Sequence, residues 1–415
     1  MRENKNKIDD NNSKLNSFIN RQTDFKVYEL LIFGFLIVII TIFLTFVVMN
    51  DISSKKIRNT NKSLKLSEVE EVYDLLKEEY FKDIDDDKLA EGAIKGMLES
   101  LDDPHTNYMN KAETDNFSDI MNGSYEGIGA EISTDKDNNV IVVSVFKKSP
   151  ADEAGLKFND IITMVNGKDV KGMTPTQVVA LIKDNTKKTA KLKINRDGNE
   201  LEFEIEKRNI VIDSVESKVF TKEGKKIGYV IINNFANNTY SQFKQHIEDM
   251  EKQNISGLII DVRGNSGGYL HSVTSMINMF LPKGSISYQI ADKKKTTKYT
   301  VSTPESRNYP VAVLVNKASA SASEILAISL KESYGADVVG TNTYGKGTVQ
   351  VTKNLSSGAM IKYTIQKWLS PKGNWINEVG VEPTIKVELS DEYQKDPKEE
   401  NDNQLQKALD IVANK

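Results

Sequence analysis

Hydrophobic and polar positions divide the chain into stretches of different period. The first is Leu30 to Met49, LLIFGFLIVIITIFLTFVVM, which carries no charge. A helix of that length reaches about 30 Å, one hydrocarbon core, so a single transmembrane helix is predicted within residues 27–50. It ends in Met49-Asn50-Asp51 with no small-residue cleavage pattern, so the anchor is expected to stay uncleaved. Residues 1–26 are polar and rich in Asn and Lys, predicting a disordered tail, and residues 51–66 predict a solvated tether. From Ser67 to Leu101 apolar residues recur at helical spacing: Val69, Val72, Leu75 and Leu76, then Leu89, Ala93 and Met97. The acidic turn Asp83–Asp87 separates two helices, and Asp102-Asp103-Pro104 stops the second.

Between residues 125 and 207 the pattern predicts short strands at Ile128–Ile132, Val140–Phe146, Asp160–Val165, Ala190–Ile194 and Leu201–Ile205. One helix interrupts them, from Pro175 to Lys183. Thr174-Pro175-Thr176-Gln177 has the form of a capping box with Pro at the first helical position. Five short strands and one capped helix predict a small, partly open barrel.

From Ile227 the period changes again. Apolar strands at Ile227–Asn233, Gly257–Val262, Val311–Val315 and Asp337–Val339 alternate with helices. Those helices are one carrying Tyr240, Phe243, Ile247 and Met250 on one side, then Leu270–Leu281 and Ala322–Tyr334. Alternation of this kind indicates βαβ units around a largely parallel sheet. Ligands bind such sheets at the carboxyl ends of the strands. Three loops reach that edge: Arg263–Gly268, Asn316–Ser321 and Gly340–Gly347.

Bulk properties narrow the chemistry. Of the 415 residues 27% are charged and the net charge is −4, so nucleic acid is not expected as a partner. The absence of cysteine excludes disulfides and thiol catalysis. The three histidines, His105, His246 and His271, lack metal-ligand spacing, so neither a metal nor another cofactor is expected. No G-x-S-x-G elbow is present, so a serine hydrolase on this chain would use a lysine base. Gly340 to Lys346 has the spacing of a phosphate-binding loop, but Gly347 and a strand follow where that loop needs Ser or Thr and a helix.

Ser319, Ser321 and Ser323 sit where an apolar strand gives way to a helix. Ser321-Ala322-Ser323-Glu324 also reads as a simple capping box. A serine at a helix N-terminus has backbone N–H groups beside it that can hold an oxyanion, and the glycines of Asp261 to Gly268 can supply a second donor. Lys346, in Gly345-Lys346-Gly347, can act as base only if burial lowers its pKa from about 10.4, with Gln350 placed to orient the amine.

These residues resemble the C-terminal processing peptidases, or tail-specific serine proteases, over nearly the whole chain. The matching segments are Leu101 to Thr106, Tyr125 to Gly129, Asp261 to Gly268, Asn316 to Ile325 and Thr343 to Gln350. The resemblance makes Ser321 the nucleophile, Lys346 the base and Gln350 its positioning partner. The Ala322 N–H and that of Gly267 or Gly268 then form the oxyanion hole. It makes residues 125–207 an inserted PDZ domain, with Gly127-Ile128-Gly129 as the loop that binds a substrate's terminal carboxylate. Two positions depart from the family pattern: Lys183 replaces an arginine that can couple the PDZ domain to the core, and Glu332 replaces an aspartate.

The implied fold class is an α/β protease core with a mixed, largely parallel βαβ sheet. To it are added an inserted PDZ-like β-barrel domain, a helical N-terminal segment and one N-terminal transmembrane helix. The expected domains are the cytoplasmic tail 1–26, anchor 27–50, tether 51–66, helical part 67–124, PDZ domain 125–207, protease core 208–390 and C-terminal linker and helix 391–415. The implied function is a membrane-anchored endopeptidase acting on proteins or peptides with accessible C-terminal tails. Its catalytic part is expected in the extracytoplasmic space by family likeness, because basic residues flank the span on both sides and do not orient it. Helices at 67–101 and Gln404–Val412 are expected to serve self-association. The alternative is a catalytically inert, membrane-tethered PDZ scaffold.

Overall fold

The computed structural model describes residues 66–184, 186–303 and 306–415, with Gly34, Ile40, Thr41 and Thr45. The expected tail, the tether up to residue 65 and the rest of the Leu30–Met49 run lie outside the described residues. Among the described residues no helix is long and apolar enough to cross a membrane. The chain forms two compact units, Met1–Ala93 and Ile94–Lys415.

The first unit contains α1 (residues 66–79) and the start of α2 (Asp86–Glu99), with Lys77 paired to Asp86 at 2.7 Å. Val69, Val72 and Leu75 of α1 are exposed.

In the second unit, β1 (Asn107–Met109) and α3 (Lys111–Asn122) follow α2. Asn110 and Glu113 form the capping box that starts α3, and left-handed Gly123 ends it. The chain then leaves through β2 (Ser124–Gly127) and returns through β9 (Arg208–Val211), which pair antiparallel from Ser124↔Val211 to Gly127↔Arg208. Between them lies a separate domain with its own core, including Val142, Val165, Val178, Leu192, Ile194 and Ile205. Its main sheet runs β3 (Ala130–Thr134), β4 (Val140–Val145), β5 (Ile161–Val165), β7 (Thr189–Arg196), β8 (Asn199–Glu206), with β6 (Lys168–Asp169) on β5. The helices are α4 (Pro150–Ala154) and α5 (Pro175–Lys183), the latter started by the Thr174–Gln177 capping box.

The remaining residues build a six-stranded sheet in the order β10 (Val215–Lys222), β11 (Lys225–Ile232), β12 (Gly257–Asp261), β15 (Val311–Val315), β16 (Asp337–Gly340), β19 (Ile385–Lys386). Only β10 is antiparallel to its neighbour. The central strands β12 and β15 are buried throughout because both faces are covered. Leu258, Ile260, Val311 and Val313 face α6 (Thr239–Glu251), α7 (Leu270–Asn278) and α8 (Ala322–Ser329). Ile259, Ala312 and Leu314 point the other way, onto Leu405, Ala408, Leu409 and Val412 of α10 (Asn403–Ala413), which follows the short α9 (Asp391–Lys395). The apolar side of α10 is thus spent inside the domain, which corrects the expectation that Gln404–Val412 serves self-association.

Two elements end differently from their sequence pattern. The helix expected to span Ala322–Tyr334 is α-helical only to Ser329 and closes with a π turn, Leu330–Tyr334, ended by left-handed Gly335. The helix expected over Leu270–Leu281 stops at Asn278. A second, antiparallel sheet was not apparent from the pattern: β1, β18 (Met360–Leu369), β13 (Ile286–Ala291) and β14 (Thr296–Thr300), with β17 (Thr348–Asn354) also on β18.

Candidate active site

Ser321 joins the end of β15 to α8 with φ 54° and ψ −113°, the first corner of a type II′ turn. The Ser323 N–H closes that turn onto the Ala320 carbonyl at 3.1 Å. A non-glycine residue held there costs about 1–3 kcal/mol and persists only where its surroundings enforce it. They do so through the other two serines. Both are fully buried: Ser319 Oγ donates to the Val262 carbonyl and accepts the Asn316 N–H, and Ser323 Oγ donates to the Asn265 carbonyl. Ser321 alone of the three is partly exposed.

The glycine loop after β12 is stitched to this turn. The Ala320 N–H donates to the Asn265 carbonyl at 3.0 Å and the Gly264 N–H to Asn316 Oδ1 at 3.0 Å. Side chains are excluded where the two loops meet, since a Cβ on Gly267 would lie 3.1 Å from the Ala322 nitrogen. The Gly267 N–H donates to Asn265 Oδ1 at 2.8 Å, so this amide is already committed. Among the described residues the N–H groups of Gly268 and Ala322 donate to no backbone carbonyl, so both are open to an acceptor.

Lys346 lies between β16 and β17. Glu324, on the first turn of α8, draws its loop to the serine. Oε2 of Glu324 accepts the Ser321 N–H at 2.8 Å and the Lys346 N–H at 2.9 Å, and Oε1 accepts the Gly345 N–H at 2.6 Å. The Lys346 carbonyl accepts the indole N–H of buried Trp368 at 2.8 Å, and the Tyr344 N–H donates to the Ser319 carbonyl at 3.0 Å.

The Lys346 pKa is lowered to about 8, first by burial and then by the Lys362 ammonium, while Asp103 and Glu324 oppose the change. Lys362, on β18, is itself lowered by burial. His105 is lowered first by burial and then by the nearby Lys346 charge. Gln350 donates its amide to Thr348 and Thr364 hydroxyls at 2.9 and 3.0 Å, leaving its carbonyl oxygen able to accept a hydrogen bond from an amine or ammonium. Among the described residues no three His, Asp or Glu side chains cluster to hold a metal ion.

In the inserted domain, Ile128 is buried between Gly127 and Gly129. Its carbonyl accepts the Ala151 N–H at 2.8 Å, and the Gly129 carbonyl accepts the Phe146 N–H at 3.0 Å. β3, which follows, is an edge strand and can accept an added strand along its open side. Lys183, at the end of α5, forms an ion pair with Asp119 of α3, and its amine lies 5.6 Å from the Tyr125 ring centroid. Glu332 accepts the Lys372 N–H at 2.8 Å.

The model of peptidase family S41 matches residues 226–387, which contain the serine, glycine and lysine loops. The carboxy-terminal processing protease CtpB of Bacillus subtilis (strain 168) is 42% identical over 335 residues, covering 80% of this chain and 70% of that protein. The same organism's CtpA is 38% identical, covering 82% and 73%. The chain belongs to the carboxy-terminal processing proteases. It is a serine peptidase of that family with a PDZ domain. A probable CtpA-like serine protease of Staphylococcus aureus (strain MSSA476) is 36% identical, covering 81% of this chain and 68% of that protein. The PDZ model matches residues 127–206, and that of the activating protease CtpB N-terminal domain matches 45–114. Among solved structures, a photosystem II D1 C-terminal processing protease aligns with a TM-score of 0.45 at 28% identity, covering 74% of this chain and 84% of that one.

Three charged residues of this processing protease had no role in the sequence reading. Glu324 was visible only as a possible cap, Asp103 only as part of a matching segment, and Lys362 lies on the strand that the pattern did not reveal.

Proposed function

We propose that the chain is a membrane-anchored endopeptidase that cuts proteins near their C-termini with a Ser321–Lys346 dyad, after the PDZ domain has captured the substrate tail. The observation that carries this reading is the shared oxygen of Glu324, which fixes the turn of Ser321, the partly exposed one of the three loop serines, beside the loop of an amine whose pKa is lowered to about 8. Neutral Lys346 takes the Ser321 hydroxyl proton as Oγ bonds to the substrate carbonyl carbon, and the N–H groups of Ala322 and Gly268 hold the oxyanion. The C–N bond then breaks and the ammonium gives its proton to the departing amine. Water, deprotonated by the same amine, then attacks the acyl carbon, and the ammonium returns its proton to Ser321 Oγ as the C–Oγ bond breaks and the new C-terminus departs.

The tail's carboxylate would bind the amides of Gly127-Ile128-Gly129 and its backbone would add along β3. Anchoring rests on the uncharged run Leu30–Met49, and likeness to the family favours a catalytic part outside the cytoplasm. Exposed Val69, Val72 and Leu75 on α1 favour pairing with a second copy of the chain.

The test is cleavage of a peptide with an apolar C-terminus, alongside labelling by a fluorophosphonate. Ser321→Ala should lose both, and Lys346→Ala should lose cleavage. Full cleavage by either variant would refute the dyad. Alkaline extraction of membranes should leave the full chain in the pellet, and protease added to intact cells should digest the catalytic part.

A further inference from the structure

Glu324 is fully buried, yet its carboxylate meets donors from two separate loops. Oε2 accepts the N–H groups of Ser321 and Lys346 at 2.8 and 2.9 Å. Oε1 accepts the Gly345 N–H and the Thr343 hydroxyl, both at 2.6 Å. Thr343 is fixed in turn by accepting the Val381 N–H at 2.6 Å. A helix cap requires only the bond to Ser321. The other three reach across to the segment carrying Lys346. Burying a carboxylate costs several kcal/mol unless hydrogen bonds satisfy it, and these four do so by joining the two loops.

We propose that Glu324 is a positioning residue for peptide-bond hydrolysis, a single carboxylate that sets the spacing between the nucleophile's turn and the base's loop. The role rests on the Ser321–Lys346 assignment and acts through the backbone of both residues. Glu324 also shares the surroundings of the Lys346 amine. It and Asp103 favour the ammonium, Lys362 opposes it, and His105 lies within reach of its charge.

The test compares Glu324→Gln and Glu324→Asp in the full chain, using a fluorogenic peptide across the alkaline range. Glutamine keeps the size but turns an amide donor toward donors. kcat should fall about a hundredfold with KM nearly unchanged. The acid limb of the pH profile should also move to lower pH, because a charge favouring the ammonium is gone. Aspartate keeps the charge but is one methylene shorter, so kcat should fall with the limb in place. Wild-type kcat in either folded variant would overturn the proposal, as would a lowered melting temperature with kcat and limb unmoved. If neither variant folds, Thr343→Val, which removes one of the four bonds, decides by the same kcat criterion. Ser321→Ala and Lys346→Ala are run alongside: activity in either refutes the dyad itself, whereas a wild-type Glu324 variant beside two inactive controls refutes only the positioning role.

Discussion

Gly267 lies against Ser321 so closely that a Cβ on the glycine would meet the serine Cβ at 2.9 Å and the Ala320 carbonyl oxygen at 2.9 Å. Its φ of 108° is also one that side chains disfavour. Gly267→Ala should therefore push the glycine loop away from the nucleophile. We expect cleavage to fall about a hundredfold while the PDZ domain still binds a tail peptide, measured by turnover and fluorescence anisotropy.

The three neighbouring serines separate by function. Ser319→Ala should cost about 1–3 kcal/mol of stability, because its hydroxyl both donates to Val262 and accepts from Asn316. Ser323→Ala should cost less, since the Asn265 carbonyl keeps the Ala320 N–H. Both should still label with a fluorophosphonate, whereas Ser321→Ala should melt like the wild type and not label. Denaturant melts and gel labelling check the pattern.

The pH profile follows from the base. With Lys346 as the proposed base the neutral amine is the active form, so activity should rise with pH and level off above about 8, falling about tenfold per unit well below that. Lys362→Met removes a positive neighbour that disfavours the ammonium. The Lys346 pKa should then rise and the activity limb should move to higher pH. An initial-rate profile of both proteins checks the direction.

The proposed tail capture can be tested apart from the chemistry. A Cβ on Gly129 would lie 2.3 Å from that of Ser149, and the glycine has a φ of 81°. Gly129→Ala should distort the carboxylate loop and raise KM for a tailed substrate, leaving the labelling rate of Ser321 unchanged. Comparing a free-acid peptide with its C-terminal amide isolates the effect.

Much of this arrangement was legible in the chain because local signals agreed with the fold. The capping box at Thr174, the uninterrupted apolar strands at Gly257 and Val311, and the serine and lysine motifs each depend on neighbours in sequence. The antiparallel sheet was not legible. β18 buries only Met360 and Trp368 fully and leaves its other side chains in intermediate or exposed positions, so its period is weak. The Ser321–Ala322–Ser323–Glu324 motif showed a cap but not the bonds to Gly345 and Lys346, because nothing local predicts which distant amides fold onto a carboxylate. The amide of Gly267 looked as useful as that of Gly268 until Asn265 was seen to occupy it.

The paired ribbon through which the PDZ domain leaves and rejoins the protease has a mechanical consequence. The Ile212 N–H already donates to the Gly123 carbonyl at 2.9 Å, at the base of that ribbon. Excising everything between these two residues would leave ends that a short turn could rejoin, with no strand of the six-stranded sheet cut. The inserted domain is therefore a detachable cartridge, and the protease core can be transplanted behind a different module without being rebuilt.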